Sequence, residues 1–138
     1  MGFLDRLFDK EKNFPELEAS SQTAQRIDRF RHDLENLANE VKDPLEVVPT
    51  DDTAYVFIGK PPKKFGIAWI RDGKINNFKT LVQDHGVPEM KLQLISERLR
   101  KAYQENDTAN RFSTSIADQK VIVTESNSLA RELREIIL

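Results

Sequence analysis

Two amphipathic helices are predicted before the first strand. In residues 1–13 four apolar side chains fall on one side of a helix at the i, i+4 spacing, with charged residues facing away: Phe3, Leu4, Leu7 and Phe8. Pro15 interrupts this segment, because the residue before a proline disfavours helical backbone. A longer helix is predicted over residues 16–42, ended by Asp43-Pro44.

The apolar positions of the longer helix advance in steps of three and four, the spacing of a coiled-coil seam: Ile27, Phe30, Leu34, Leu37 and Val41. The seam is too short for a self-standing coiled coil. In a parallel dimer, Arg26 of one copy would also face Arg31 of the other. The pattern favours a helix lying against its own sheet, with an antiparallel dimer as the lesser alternative.

The next residues read as three strands. Residues 55–58 and 65–70 are continuous β-branched and aromatic runs, which is typical of interior strands. Asp72-Gly73 predicts a type I′ hairpin turn, and residues 74–82 form the returning strand. Pro49 stiffens the connection before the strands, and the proline-rich residues 59–64 form an unpaired loop.

The second half of the chain alternates helix, hairpin and helix. Pro88 suits the first position of a helix that runs to about residue 105. Its predicted inward side is apolar: Met90, Leu94, Ile95, Leu99, Ala102 and Tyr103. Residues 111–117 and 120–124 predict a hairpin around Asp118-Gln119. Ser126 or Asn127 caps a last helix whose inward residues are Leu129, Leu133, Ile136 and Ile137.

These elements predict an α+β fold with the order α-βββ-α-ββ-α. A largely antiparallel five-stranded sheet with helices packed on it is the economical arrangement. The order resembles the layout of profilin-like sensor and adaptor domains, a resemblance of layout that implies no activity. Residues 1–14 are interpreted as an amphipathic N-terminal segment and residues 15–138 as a single domain.

Composition narrows the class of protein. The 138 residues are 38% apolar and 32% charged, and the longest apolar runs fall short of a membrane-spanning helix. The first residues lack the pattern of a secretory signal, so we expect a cytoplasmic protein. The sequence has no cysteine, which excludes disulfides, thiolate nucleophiles and Cys-ligated metals.

Charge is unevenly distributed along the chain. The net charge is −2, yet residues 59–101 hold ten Lys or Arg against four Asp or Glu. The predicted anion-binding residues are Lys60, Lys63, Lys64 and Arg98. The spacing of Gly59 and Gly66 does not match a P-loop, and the alternative is a solvated hairpin whose lysines discourage edge pairing. A pI of 5.7 disfavours a dedicated nucleic-acid binder.

Catalytic chemistry has one candidate, His85, which follows Asp84 in a segment interpreted as a loop. No nucleophile elbow accompanies it. A metal site from Asp84, His85 and Glu89 lacks a second imidazole or thiolate, so no metal and no cofactor are predicted.

The leading hypothesis is therefore a non-enzymatic protein-interaction or regulatory domain. Phe3, Leu4, Leu7 and Phe8 are its predicted partner-binding anchors, helped by the exposed part of the helix over 16–42. The partner is another protein or a second copy. Two alternatives stay open: binding of phosphate or nucleic acid by residues 59–101, and a small hydrolase or isomerase that uses His85.

Overall fold

A computed structural model describes residues 14–138. Five helices are found in that range: α1 (Gln22–Arg29), α2 (Arg31–Glu40), α3 (Phe78–His85), α4 (Glu89–Glu105) and α5 (Asn127–Ile137). Six strands are found: β1 (Leu45–Pro49), β2 (Thr53–Lys60), β3 (Lys64–Arg71), β4 (Lys74–Asn77), β5 (Asn110–Ile116) and β6 (Gln119–Glu125). None of the five helices combines the length and the apolar composition needed to cross a membrane.

The six strands form one open mixed sheet in the order β4-β3-β2-β1-β6-β5. Every neighbouring pair is antiparallel except β1 and β6, which are parallel. The α+β class is confirmed, while the predicted strand count was wrong because β1 was interpreted as a connection. Asp43-Pro44 and Pro49 are typical of a linker, but Pro49 is the last residue of β1 and lies beyond the residues that pair with β6.

Apolar side chains cover both faces of the sheet, so the fold has three layers. One face packs under α1 and α2, and its buried members include Ile27, Leu34, Val47, Val56 and Val123. The other face packs under α3, α4 and α5, and its buried members include Tyr55, Phe57, Trp69, Leu99 and Leu133. Strands buried on both faces read as continuous apolar runs, which is why residues 55–58 and 65–70 were recognisable from sequence.

The predicted long helix is two helices separated by Phe30, whose backbone lies outside the helical region at φ −107° and ψ 8°. Residues 14–17 are not helical; they run beside β5, where Ser113 N donates to Pro15 O and Leu17 N donates to Ser113 O, each at 2.8 Å. Ile27, Leu34 and Leu37 are buried against the sheet. The interpretation that this stripe lies on its own sheet is confirmed.

The returning strand predicted over residues 74–82 is wrong beyond Asn77. The strand β4 ends there, and Asn77 starts α3 with a capping box: its side chain accepts from Thr80 N at 3.1 Å, while Thr80 Oγ1 accepts from Asn77 N at 3.2 Å. Such reciprocal bonds satisfy backbone donors that a helix start leaves unpaired. The Asn-x-x-Thr spacing was the signal in the sequence that distinguishes helix from strand here.

The turns and the helix cap predicted from the sequence are found at, or within one residue of, their predicted positions. Asp72 and Gly73 both have positive φ, 55° and 71°, as a type I′ turn requires. In the second hairpin the two turn residues are Ala117 and Asp118, one position earlier than predicted. Ser126 caps α5 by accepting from Leu129 N at 3.0 Å, and Leu129, Leu133 and Ile137 are buried as predicted, with Ile136 half-buried.

Candidate functional site

The first half of α4 exposes apolar side chains that the sequence pattern had placed inward. Ile95, Leu99 and Ala102 are buried, as predicted. Met90 is 87% exposed and Leu94 is 58% exposed, which corrects the prediction for both. The predicted inward residues span an arc of about 220° around a helix that turns by roughly 100° per residue, more than one packed face covers. We call Met90 and Leu94 the α4 outer stripe.

An open groove lies between α3 and α4, with a volume of about 530 Å³. Its apolar wall consists of Phe78 and Val82 from α3 and Leu92 from α4. Lys79, Gln83 and Glu89 add polar groups to its lining. We call these six residues the α3–α4 groove. Its volume falls within the range of about 300–1,000 Å³ that is usual for binding pockets.

Local sequence explains why α3 and α4 lie side by side. Gly86 ends α3 in the left-handed conformation at φ 66°, which glycine adopts without steric cost. Val87 N then donates to Leu81 O at 3.1 Å, so the chain turns back at once. Pro88 precedes the first residue of α4 with extended backbone, as its fixed φ of −65° allows. Two helices joined by so short a connection are held as neighbours.

The groove offers an apolar wall with few charged groups around it. Its lining carries one cationic and one anionic side chain, Lys79 and Glu89, so neither sign of charge dominates it. The apolar wall therefore offers burial to apolar side chains of a ligand.

A buried polar cluster lies under the other half of α4. Glu46 of β1 accepts from the hydroxyl of Tyr103 at 2.8 Å, from Arg111 Nε at 3.0 Å and from the hydroxyl of Thr124. The side chains of Glu46 and Arg111 are only 6% and 7% exposed. The Arg111 guanidinium also lies 5.2 Å from the centre of the Tyr103 ring. We call these four residues the Glu46 cluster.

The charges within the Glu46 cluster favour the protonation states that its hydrogen bonds require. Burial raises the pKa of Tyr103, and the charge of Glu46 raises it further, so the phenol stays protonated and donates. Burial acts to lower the pKa of Arg111, but the charge of Glu46 outweighs it and the net shift is upward. Within residues 14–138 no buried side-chain N or O atom lacks a hydrogen-bond partner.

The Glu46 cluster joins α4, β5 and β6 to β1. The Glu46 carboxylate already accepts hydrogen bonds from three side chains. Its geometry is therefore that of a structural contact between these elements rather than that of a general base. Sequence reasoning missed it. The signal was a single carboxylate, Glu46, inside the apolar run from Leu45 to Val48.

The basic residues of the β2–β3 hairpin are only partly arranged as predicted. Lys60, Lys63 and Lys64 are exposed, but Lys60 and Lys64 pair across the ends of β2 and β3 instead of lying in an unpaired loop. Gly59 lies in β2 with φ 111°, and a Cβ there would come within 2.8 Å of the Lys64 carbonyl oxygen. Only glycine fits this position without a shift of the backbone.

Arg100, rather than Arg98, reaches this hairpin. Arg100 Nε donates to Pro62 O at 2.7 Å and Nη2 donates to Lys63 O at 3.3 Å, while the guanidinium lies 5.6 Å from the centre of the Phe65 ring. Residues two apart on a helix point about 200° apart, so Arg98 projects to the other side of α4. The anion-binding role of Lys60, Lys63, Lys64 and Arg98 stays a prediction.

His85 is not in a loop, as interpreted, but is the exposed last residue of α3. The neighbouring carboxylate of Asp84 lies 3.8 Å from Lys74 Nζ. Adjacent helical residues point about 100° apart, so Asp84 and His85 do not face each other. Within residues 14–138 no three His, Asp or Glu side chains are grouped closely enough to hold a metal ion.

The predicted partner-binding anchors Phe3, Leu4, Leu7 and Phe8 lie outside the described residues. The other predicted binding element was the helix over 16–42. Its apolar stripe is buried on the sheet, so α1 and α2 can offer a partner only their polar side.

Comparison of the chain with protein-family models, with curated proteins and with solved structures gives no match. Function is therefore inferred from the chain's own residues.

Proposed function

We propose that this chain is a non-enzymatic protein-interaction domain that binds apolar side chains of a partner protein at the α3–α4 groove. The observation that carries the proposal is the open groove itself, whose wall is made of three apolar side chains, Phe78, Val82 and Leu92. Apolar surface removed from water contributes roughly 25 cal/mol per Å², so covering these side chains favours association.

The shape and composition of the surface support a protein ligand. An open groove beside a helix accepts an amphipathic helix, whose apolar side chains recur every three or four residues. A cytoplasmic location belongs to the same proposal, since a cysteine-free chain needs no oxidising compartment.

The test starts from a photo-crosslinker, benzoylphenylalanine, placed in cells at Gln83 in the groove lining. The control position is Gln104, an exposed residue in the second half of α4. A protein crosslinked at Gln83 but not at Gln104 is purified, and its Kd for the full chain is measured by titration calorimetry. The Val82→Glu variant places a charge in the apolar wall, so we expect Kd to rise at least about tenfold. The matched Gln104→Glu variant leaves Kd within about twofold.

Circular dichroism melting establishes that both variants remain folded. Equal crosslinking at Gln83 and Gln104, or a captured protein that binds the Val82→Glu variant as tightly as the native chain, contradicts the proposal.

A second candidate function is anion binding at the β2–β3 hairpin. It is favoured by the three exposed lysines on a turn that Arg100 holds in place through two carbonyl oxygens. Binding of a short DNA duplex is expected to weaken steeply as salt rises and to fall further in the Lys63→Ala/Lys64→Ala double variant. Binding that is absent at low salt, or insensitive to it, rejects this candidate.

A further inference from the structure

We propose that the segment that fills the α3–α4 groove is the N-terminal segment of a second copy of this chain. Its apolar side chains Phe3, Leu4, Leu7 and Phe8 would lie in the groove, and two copies would exchange segments reciprocally. This inference rests on the proposed function of the groove and names its partner.

The chemistry of segment and groove is complementary. The four apolar residues recur at the i, i+4 spacing with which an amphipathic helix fills a groove. The wall that receives them is made of Phe78, Val82 and Leu92. The polar residues of the segment include both signs, and so does the groove lining, which holds Lys79 and Glu89. Neither surface repels the other.

The place where the described chain begins limits what the segment can reach. Residues 14–17 are held against β5: Phe14 O accepts from Ser113 Oγ at 3.3 Å, and Pro15 and Leu17 bond to the backbone of Ser113. The groove begins at Phe78, directly after β4. β4 and β5 are the two opposite edges of the sheet, separated by five strand spacings or about 24 Å.

A segment docked as a helix cannot span that distance within one copy. Phe14 lies six positions after Phe8, and six fully extended residue steps reach at most about 20–22 Å. The route is longer than the straight line, because α4 and α5 lie on that face of the sheet. A second copy can bring its segment to the groove without this restriction. In a two-fold dimer, each copy then donates one segment and receives one.

Disulfide trapping tests the exchange directly, because the chain has no cysteine of its own. Full-length chains carrying Arg6→Cys, next to the anchor Leu7, are mixed with full-length chains carrying Gln83→Cys and oxidised. A covalent dimer on a non-reducing gel, lost when Phe8→Glu is added to the Arg6→Cys chain, is the expected result. The matched control replaces Gln83→Cys by Gln104→Cys, which gives no dimer above background.

The double variant Arg6→Cys/Gln83→Cys distinguishes exchange from docking within one copy. Exchange gives a covalent dimer, whereas an internal disulfide in a monomer overturns the second-copy proposal. Sedimentation equilibrium of the native chain is expected to show a dimer that Phe8→Glu converts to monomer. A Gln83→Cys mixture no more crosslinked than the Gln104→Cys control also overturns this inference. In that case the Val82→Glu calorimetry still decides the proposed function separately, with whichever protein crosslinks at Gln83.

Discussion

Helices α2 and α4 have similar apolar periodicity, but their apolar residues are buried to different extents. In α2 the apolar residues Leu34, Leu37 and Ala38 fit an arc of about 100° and are all buried on the sheet. In α4 the apolar residues cover about twice that arc, and Met90 and Leu94 are left in water. The comparison teaches that periodicity identifies the residues that share a face, while the width of the arc decides how much of it one sheet can cover.

Helix α4 repeats this contrast within itself. Its second half is tied to β1 through Tyr103 and the Glu46 cluster, and its first half lines the α3–α4 groove. The contacts of the Glu46 cluster thus lie at the second half of the helix, and the surface that is available for binding lies at the first half. The predictions that follow test this division, starting from the largest expected effect.

The sharpest comparison is between one leucine from each helix. Leu34→Ala removes a fully buried side chain from under α2, so the free energy of unfolding is expected to fall by about 4 kcal/mol. Leu94→Ala removes a side chain that is mostly in water, and we expect a change within about 0.5 kcal/mol. Urea unfolding of the two variants measures both values. Similar losses would show that Leu94 is packed and would contradict its exposure on α4.

Removing Arg111 tests whether the Glu46 cluster anchors the second half of α4. Arg111→Met leaves Glu46 buried without its cation, so a loss of about 3 kcal/mol is expected in the same urea assay. The control is Arg134→Met, since Arg134 pairs with Asp52 at 3.7 Å on the surface. That variant is expected to lose less than about 1 kcal/mol. Equal losses in the two variants would argue against a buried anchor.

A smaller effect is expected when only the tyrosine hydroxyl is removed. Tyr103→Phe keeps the ring against Phe57 but takes one donor from Glu46, at an expected cost of about 1.5 kcal/mol. Tyr55→Phe is a suitable control, because Tyr55 is also buried but its hydroxyl is not among the three groups that donate to Glu46. If both variants are equally stable, the bond from Tyr103 to Glu46 contributes nothing measurable.

The smallest effect is a dependence on alkaline pH. Burial and the charge of Glu46 raise the pKa of Tyr103 above its ordinary value of 10.0. Above about pH 10 the unfolded chain releases the Tyr103 phenol proton while the folded chain retains it. The stabilisation that Tyr103 contributes is therefore complete below that pH and is lost as the pH rises. The stability difference between the native chain and Tyr103→Phe should therefore shrink above pH 10. A difference that stays constant through that range contradicts the assignment.

Several elements could be predicted from the sequence because their causes are local. The positive φ at Asp72 and Gly73 and the cap at Ser126 follow from residue chemistry within a few positions. The burial of Leu34 and Leu37 on the protein's own sheet followed from helical spacing. The start of helix α3 could also have been predicted, since Asn77 and Thr80 have the spacing of a capping box.

Strand β1 and the candidate site could not be predicted in the same way. A strand that follows Pro44 and ends in Pro49 is recognised only when β2 and β6 supply its hydrogen bonds, and β6 lies far away in the sequence. The partners of Glu46 are likewise 57, 65 and 78 residues away along the chain. The sequence by itself determined which residues share a face, where turns occur and where helices start, because those are properties of neighbouring residues. Only the tertiary structure decided that Leu34 is covered and Leu94 is not, because exposure depends on which distant elements reach that side of the helix.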